Sequence, residues 1–166
     1  LSWTDEVQQT NAGGIDEDLS HDRITAARFG TSFSGCYYGC IGIDTEISKG
    51  LELGSRSRSQ VGEGTPLSRS SASSNFTHFN LRANYTVNPH ENYIIRLNAG
   101  GQYTLNDLVN SEQKGITGED KLSAFTSGAI SGDEVWYVRG QINKKYKLSN
   151  NLSISPYIYG AGGVAY

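Results

Sequence analysis

Methionine is absent from this 166-residue chain, including at position 1, and cysteine (2), histidine (3) and proline (3) are scarce. Each shortage excludes something. A chain that lacks an initiating Met is expected to be a piece of something longer, and its first residues carry no signal-peptide pattern. No apolar run reaches the ~18 residues that a membrane helix needs. The formal net charge is −3 and no basic stripe occurs, so a nucleic-acid partner, which requires cations along phosphates, is not expected. The mean hydropathy of −0.46 would ordinarily point to a soluble protein. That inference is weak for a strand in a bilayer, which shows lipid only every second residue and is joined by polar loops.

What the chain does have is alternation. From Tyr93 the odd positions read Tyr93, Ile95, Leu97, Ala99, Gly101, Tyr103 and Leu105, against Ile94, Arg96, Asn98, Gly100, Gln102 and Thr104. Phe79, Leu81, Ala83, Tyr85 and Val87 stand against His78, Asn80, Arg82, Asn84 and Thr86. Ile43, Thr45, Ile47, Leu51 and Leu53 stand against Asp44, Glu46, Ser48 and Glu52, with Lys49 interrupting the apolar side. Trp136, Val138 and Ile142 oppose Tyr137, Arg139, Gln141 and Asn143, and Leu152, Ile154 and Ile158 oppose Ser153, Ser155, Tyr157 and Tyr159. A period of two sustained this long predicts strands, and strands longer than the usual 5–6 residues. About ten residues is what a tilted strand needs to cross a bilayer.

The connections give the direction. Short turns at about 35–39, 88–92 and 149–151 alternate with long polar stretches at about 9–20, 54–74 and 106–134. Outer-membrane barrels are wired this way, with tight turns on the periplasmic side and long loops outside. A soluble sandwich gives no reason for the long loops to gather at one end. The expected fold class is therefore all-β, an antiparallel transmembrane β-barrel. Its strands are placed at about 1–8, 21–34, 41–53, 75–87, 92–105, 135–147 and 152–165. Seven strands leave two open edges, whose unpaired backbone groups would each cost several kcal/mol in lipid. The whole of 1–166 is thus read as one incomplete barrel domain that needs further strands on both sides.

One segment is more specific than any periodicity. Ser111-Glu112-Gln113 leads into Gly115-Ile116-Thr117-Gly118, then Asp120, Leu122-Ser123-Ala124-Phe125, and Ile130-Ser131-Gly132-Asp133 before Trp136. It resembles the sixth extracellular loop and following strand of the two-partner secretion transporters (TpsB), the haemolysin and filamentous-adhesin exporters. Their pattern runs S-E-Q-F-G-L-G-G, (V/G)-R-(G/A)-(Y/F) and (L/I)-(S/T)-G-D-x-G-W. Asp22-Arg23, Leu51 to Gly54, Leu67-Ser68-Arg69 and Asn75 to Leu81 fall where that family has similar segments. The resemblance implies a sixteen-stranded barrel of which this chain holds about the seventh to the thirteenth strand. It also implies that the loop folds back into the lumen, where an Arg pairs with an Asp on the inner wall in a pattern F-Y-D-A-G. Here the Arg position is Ser123. The wall pattern, read along Tyr157, Ile158, Tyr159, Gly160, Ala161 and Gly162, puts the Asp position at Gly160. Both halves of the pair are missing, a coincidence with a physical logic, since losing one partner of a desolvated pair is costly and losing both is nearly neutral. If the loop still enters the lumen, Phe125 is expected to hold it, against Tyr157 and Tyr159.

Other residues invite bland readings beside sharper ones. Cys36 and Cys40 flank a short turn and are either a disulfide, which periplasmic exposure favours, or two free thiols; with no His nearby a metal site is not expected. The three His are scattered and suggest no catalytic group. Gly160 to Gly163 is glycine-rich but precedes no helix, which argues against phosphate binding. Asp44, Glu46, Arg82, Arg96 and Arg139, with Arg28 and Glu52, carry both signs on the polar side. They are either mutual ion pairs that keep a wall hydrated or a low-adhesion path for an unfolded chain.

The function implied by the resemblance is an integral pore in the outer membrane of a Gram-negative bacterium. It would pass a large unfolded exoprotein of the haemolysin or adhesin type, with no cofactor. The partners are that exoprotein and outer-membrane lipid, and the full-length protein is expected to be monomeric. The alternatives are a barrel-assembly insertase of the same superfamily and a passive porin or adhesin barrel. An enzyme is not expected, because no nucleophile, base and metal set clusters.

Overall fold

The computed structural model describes residues 2–11, 18–51, 69, 71–149 and 151–166, with the backbone alone for 2–11 and 18–23. Its main feature is a seven-stranded antiparallel sheet. Six of the seven strands are β1 (Ser2–Asn11), β2 (Asp18–Cys36), β3 (Cys40–Gly50), β4 (Thr77–His90), β5 (Tyr93–Thr104) and β8 (Val135–Lys144), of which β3, β4, β5 and β8 coincide with the alternating segments. The seventh, β11 (Tyr157–Ala165), closes the order β1-β2-β3-β4-β5-β8-β11, so the sheet is a plain meander with β1 and β11 at its edges. Between β5 and β8 the long loop carries a 3₁₀ turn at Asn110–Glu112 and a two-residue ladder of β6 (Lys114–Gly115) with β7 (Ser131–Gly132).

The boundaries differ from the sequence expectation where local chemistry intervenes. Positions 9–11 and 18–20, expected in a loop, belong to β1 and β2, while 12–17 lie outside the described residues. So do 52–68 and 70, which contain Glu52 and most of the expected loop at 54–74. β3 ends at Gly50, and the Leu51 N–H crosses to Thr25 O at 2.8 Å. β2 runs on to Cys36, which registers with Cys40, so the turn narrows to 37–39; the two cysteines form a disulfide across it. Strands six and seven are each broken. The Lys144 N–H donates to Pro156 O (3.0 Å) and the Lys145 N–H turns to Asn92 O (2.7 Å). Pro156 has no N–H to return to the ladder. Beyond this break a separate hairpin forms from β9 (Tyr146–Ser149) and β10 (Leu152–Ile154).

Because side chains alternate across a strand, register decides what each face carries. Ile47 lies between Phe29 and Phe79, Phe79 beside Tyr103, Ala99 beside Val138, and Ile142 between Ile95 and Ile158. These residues build one apolar face, and Phe29, Phe33, Phe79, Leu97, Trp136, Val138, Ile142 and Ile158 are all exposed on it. The other face carries Arg28, Glu46, Ser48, His78, Asn80, Arg96, Gln102, Arg139 and Asn143. A sheet that leaves its aromatics bare on one face and gathers its charges on the other, under a loop of the same chain, is inside-out relative to a soluble sandwich.

Two small clusters of buried apolar side chains lie off the apolar face. Ile24, Ala26, Ala72, Phe76, Leu108 and Val109 pack where β2 meets the chain entering β4 and leaving β5. Ile116, Leu122, Val135 and Tyr137 pack under the long loop, with Ile130 and Ala165 against them.

Candidate functional site: a loop held on the polar face

The chain from Asn106 to Glu134 folds onto the polar face, and the bonds that hold it there begin at its root. Glu112, at the end of the 3₁₀ turn, reaches two strands at once. Its Oε1 accepts from Arg28 Nη2 of β2 at 2.5 Å, and its Oε2 lies 3.0 Å from His78 Nε2 of β4. The carboxylate and the imidazole are almost fully buried and the guanidinium is mostly so. Burial alone would raise the Glu112 pKa, but the hydrogen bond from His78 and the charge and hydrogen bond of Arg28 outweigh it and hold the carboxyl below its ordinary value. Gln102 of β5 donates to both Glu112 O (3.0 Å) and Asp133 O (3.1 Å), tying the two ends of the loop together. Asp133 accepts from Arg69 Nη1 (2.5 Å) and Gln113 Nε2 (2.8 Å). Burial would raise this carboxyl too, and the hydrogen bonds from Arg69 and Gln113 instead lower it.

Further along, cations meet neutral acceptors. Lys114 Nζ donates to Asn80 Oδ1 at 2.6 Å and to Gly101 O at 3.3 Å. Burial, with Lys121 and Arg82 nearby, pushes its ammonium down to about 8. Near the tip, Arg139 of β8 donates to Ser123 Oγ and to Glu119 O, both at 2.6 Å, while its guanidinium lies 4.2 Å from the Tyr159 ring centroid. Two glycines shape the path. Gly118 sits at φ +125°, a region that side chains avoid, and a Cβ at Gly132 would stand 2.5 Å from Tyr166 O.

The residues singled out from sequence fall into three groups. Gly118, Leu122, Ser123, Gly132 and Asp133 are structural parts of the docked loop, Leu122 through the second apolar cluster. Asp120 and Ala124 are exposed. Asp44, Glu46, Arg82, Arg96 and Arg139 share the polar face: Asp44 accepts from Ser32 Oγ (2.6 Å), Glu46 from Ser48 Oγ (3.3 Å), and Arg96 donates to Asn143 Oδ1 (2.9 Å). Asp44 and Arg82 are register partners.

Two expectations are corrected. Phe125 does not hold the loop: its side chain is 51% exposed, and the wall contact next to it is made by Ser123 and Arg139. Gly160 is not on the inner wall. It pairs with Gly140 and shares the apolar face with Ile158, Gly162 and Val164. The inward residue that registers with Arg139 is Ala161. The motif alignment placed Gly160 one residue off its face, which the pleat does not allow. Tyr157 is exposed and tilts against Tyr159 at 6.3 Å, so only Tyr159 of the proposed partner strand meets the docking group. Sequence reading passed over Glu112 and His78 as site residues, although Glu112 stands inside the quoted Ser-Glu-Gln segment and His78 on the polar side of its strand.

The seven-stranded antiparallel meander has a counterpart among solved structures. CdiB from Escherichia coli superposes with a TM-score of 0.66 at 16% sequence identity, over 90% of this chain and 32% of CdiB. At that identity the likeness speaks for the fold, and this chain spans about a third of the CdiB length. No curated protein sequence matches. The sequence model of the haemolysin secretion/activation proteins ShlB/FhaC/HecB matches residues 9–165, and the chain belongs to that family. These are non-enzymatic two-partner secretion transporters of the Gram-negative outer membrane.

Proposed function

We propose that this chain forms part of the barrel wall, together with the gating loop, of a pore through which a large exoprotein of haemolysin or adhesin type leaves the periplasm. The apolar face then meets lipid and the polar face lines the lumen. The observation that carries this reading is the docked loop: residues 106–134 are bonded to four strands of the polar face, through Arg28, His78, Gln102 and Arg139. A loop so placed narrows the passage. Its attachments are hydrogen bonds and ion pairs together with two small apolar clusters, and a passing chain can exchange for the polar ones. The complete protein is proposed to act as a monomer, with Cys36–Cys40 stiffening a periplasmic turn.

Locking the loop tests this. In the complete protein with Cys36 and Cys40 replaced by Ser, cysteines at Ser123 and Arg139, joined by a bis-methanethiosulfonate reagent whose spacer covers the reach of the lost arginine side chain, should stop export of the exoprotein, and a reductant should restore it. Unchanged export with the lock closed overturns the gate. Loss of outer-membrane protein assembly with export intact would favour an insertase of the same superfamily.

A further inference from the structure

The polar face is not evenly charged along the strands. Among its described strand residues, the carboxylates Asp44 and Glu46 register with Arg82 and Asn80, in the half nearer the long loops. The half nearer the short turns carries Arg96, Arg139, Lys145 and Lys147 and no strand carboxylate. Alternation puts Lys145 and Lys147 there: Lys147 registers with Ser153, while Lys144 sits beside Tyr93 on the apolar side. Glu91, in the turn between β4 and β5, is the one carboxylate at that end among the described residues.

The four cations meet neutral groups only. Arg96 Nη1 donates to Asn143 Oδ1 and Arg139 Nη2 to Gln141 Oε1, both at 2.9 Å, and Gln141 Nε2 donates to the same Asn143 Oδ1 at 2.9 Å. Arg139 reaches the loop through a carbonyl and a hydroxyl, Glu119 O and Ser123 Oγ. Lys145 and Lys147 are exposed. No ion pair holds any of the four among the described residues, whose ion pairs belong to Glu112 and Asp133 at the other end of the sheet. The file is long. Eight residues of strand from Arg139 to Lys147 span ~26 Å, and Arg96, which registers with Gln141, lies one diagonal step from Arg139, ~7–8 Å away. A wall lined by one sign of charge concentrates the opposite sign beside it.

We propose that this file of cations is a receiving surface for an acidic stretch of the exported chain. The occupant follows from charge and shape. Cations spread over ~26 Å match carboxylates spaced along about eight residues of extended chain, and no single small anion spans that distance. Asp44 and Glu46, in the other half, repel the same segment, so it is drawn in at the short turns without being held along the whole wall. Passage needs this combination of entry and release. The surface rests on the reading of the polar face as the lumen of a pore.

The test is fluorescence anisotropy of a dye-labelled polyglutamate decapeptide with the complete protein in phosphatidylcholine nanodiscs, whose lipid carries no net charge. Arg139 is left in place because it holds the loop tip. The Arg96→Gln, Lys145→Gln, Lys147→Gln triple variant should bind the peptide roughly tenfold more weakly than the wild type, each exposed pair contributing a factor of a few. Lys145→Gln with Lys147→Gln, which alters exposed side chains only, should lose about fivefold. Lys144→Gln removes the same charge from the apolar side and should change nothing. Equal binding by wild type and triple variant, or a loss in Lys144→Gln as large as in Lys147→Gln, overturns the surface. Displacement of the peptide by inorganic phosphate at equal charge concentration would make this a small-anion site and overturns the acidic segment as its occupant. Conductance in a planar bilayer separates the two levels of the reading. A conducting protein whose peptide affinity ignores the triple variant loses this surface alone, and a complete protein that does not conduct loses the pore and the surface together.

Discussion

The two faces of this one sheet use opposite chemistry. On the apolar face, neighbouring strands place Ile47 beside Phe29 and Phe79, and Ile142 beside Ile158 and the half-buried Ile95, and all but Ile95 stay uncovered. On the polar face nearly every long side chain is engaged, and a loop of the same chain supplies many of the partners. An apolar side chain needs only an apolar medium, which lipid provides without specific geometry. A buried charge needs a particular partner at a particular distance. Substitutions should therefore be graded on the apolar face by polarity and depth, and on the polar face by which partner is left alone.

The largest effect is expected at the root of the loop. Glu112→Gln removes the charge that Arg28 and His78 share in a buried place. Breaking one member of such a set costs ~3–5 kcal/mol, because the remaining charge stays uncompensated. In the complete protein the loop at 106–134 should lose its protection from protease and from hydrogen exchange. The same residue sets an acid limit. Its folded-state pKa lies below the ordinary 4.5, so its contribution is fully present above pH 4.5 and is lost as pH falls through the depressed value. Loop protection should hold between pH 7 and 5 and fail only in stronger acid. Undiminished protection in Glu112→Gln would remove this node from the account of the polar face.

Next in size is the contrast between neighbouring residues on opposite faces. Leu97→Arg in the complete protein should cost ~2–4 kcal/mol if it lies near the bilayer midplane. Asn98→Arg, one residue on, should cost less, since it points at the polar face and its cost is limited to the like-charge contact with Arg139 opposite it. Denaturant titration of both variants in lipid vesicles measures the difference. Equal losses would reverse or abolish the assignment of faces.

How much of this was legible in the sequence follows the same division. The apolar face was readable residue by residue, because a period of two requires only that odd and even positions differ. Strand order was readable as well, since short and long connections alternate and neighbours in sequence become neighbours in the sheet. The contacts on the polar face were not. Arg28 and Glu112 are 84 residues apart, and nothing local distinguishes Arg28 from Arg82 or Arg96 as the one that the loop meets. That choice depends on strand register and on the path of the loop, both long-range properties. The breaks at Lys145 and Ser155-Pro156 had a readable sign in Pro156. Gly160 is the instructive case: alternation already placed it with Ile158, and a motif match overrode that rule.

The smallest expected effect is also the one that separates register from motif. Near the loop tip the cation stands on the wall: Arg139 donates to Ser123 Oγ and rests on Tyr159. Ser123→Arg brings a second guanidinium to that spot, where the two like charges repel and the Ser123 hydroxyl is lost, so the tip should lift. An added carboxylate can recover docking only if it faces the same way. Ala161 registers with Arg139 and shares its face, so Ala161→Asp should compensate for Ser123→Arg. Gly160→Asp sits one residue away on the apolar face and should not compensate; it should also weaken insertion by placing a carboxylate against lipid. The coupling expected for Ser123→Arg with Ala161→Asp is ~1 kcal/mol, typical of residues in direct contact, and that for Ser123→Arg with Gly160→Asp is close to zero. Two double-mutant cycles, read by protease access to the loop in the complete protein, give both numbers. Coupling through Gly160 and none through Ala161 would mean that β11 is shifted by one residue against β8, and every face assignment on that strand would reverse with it.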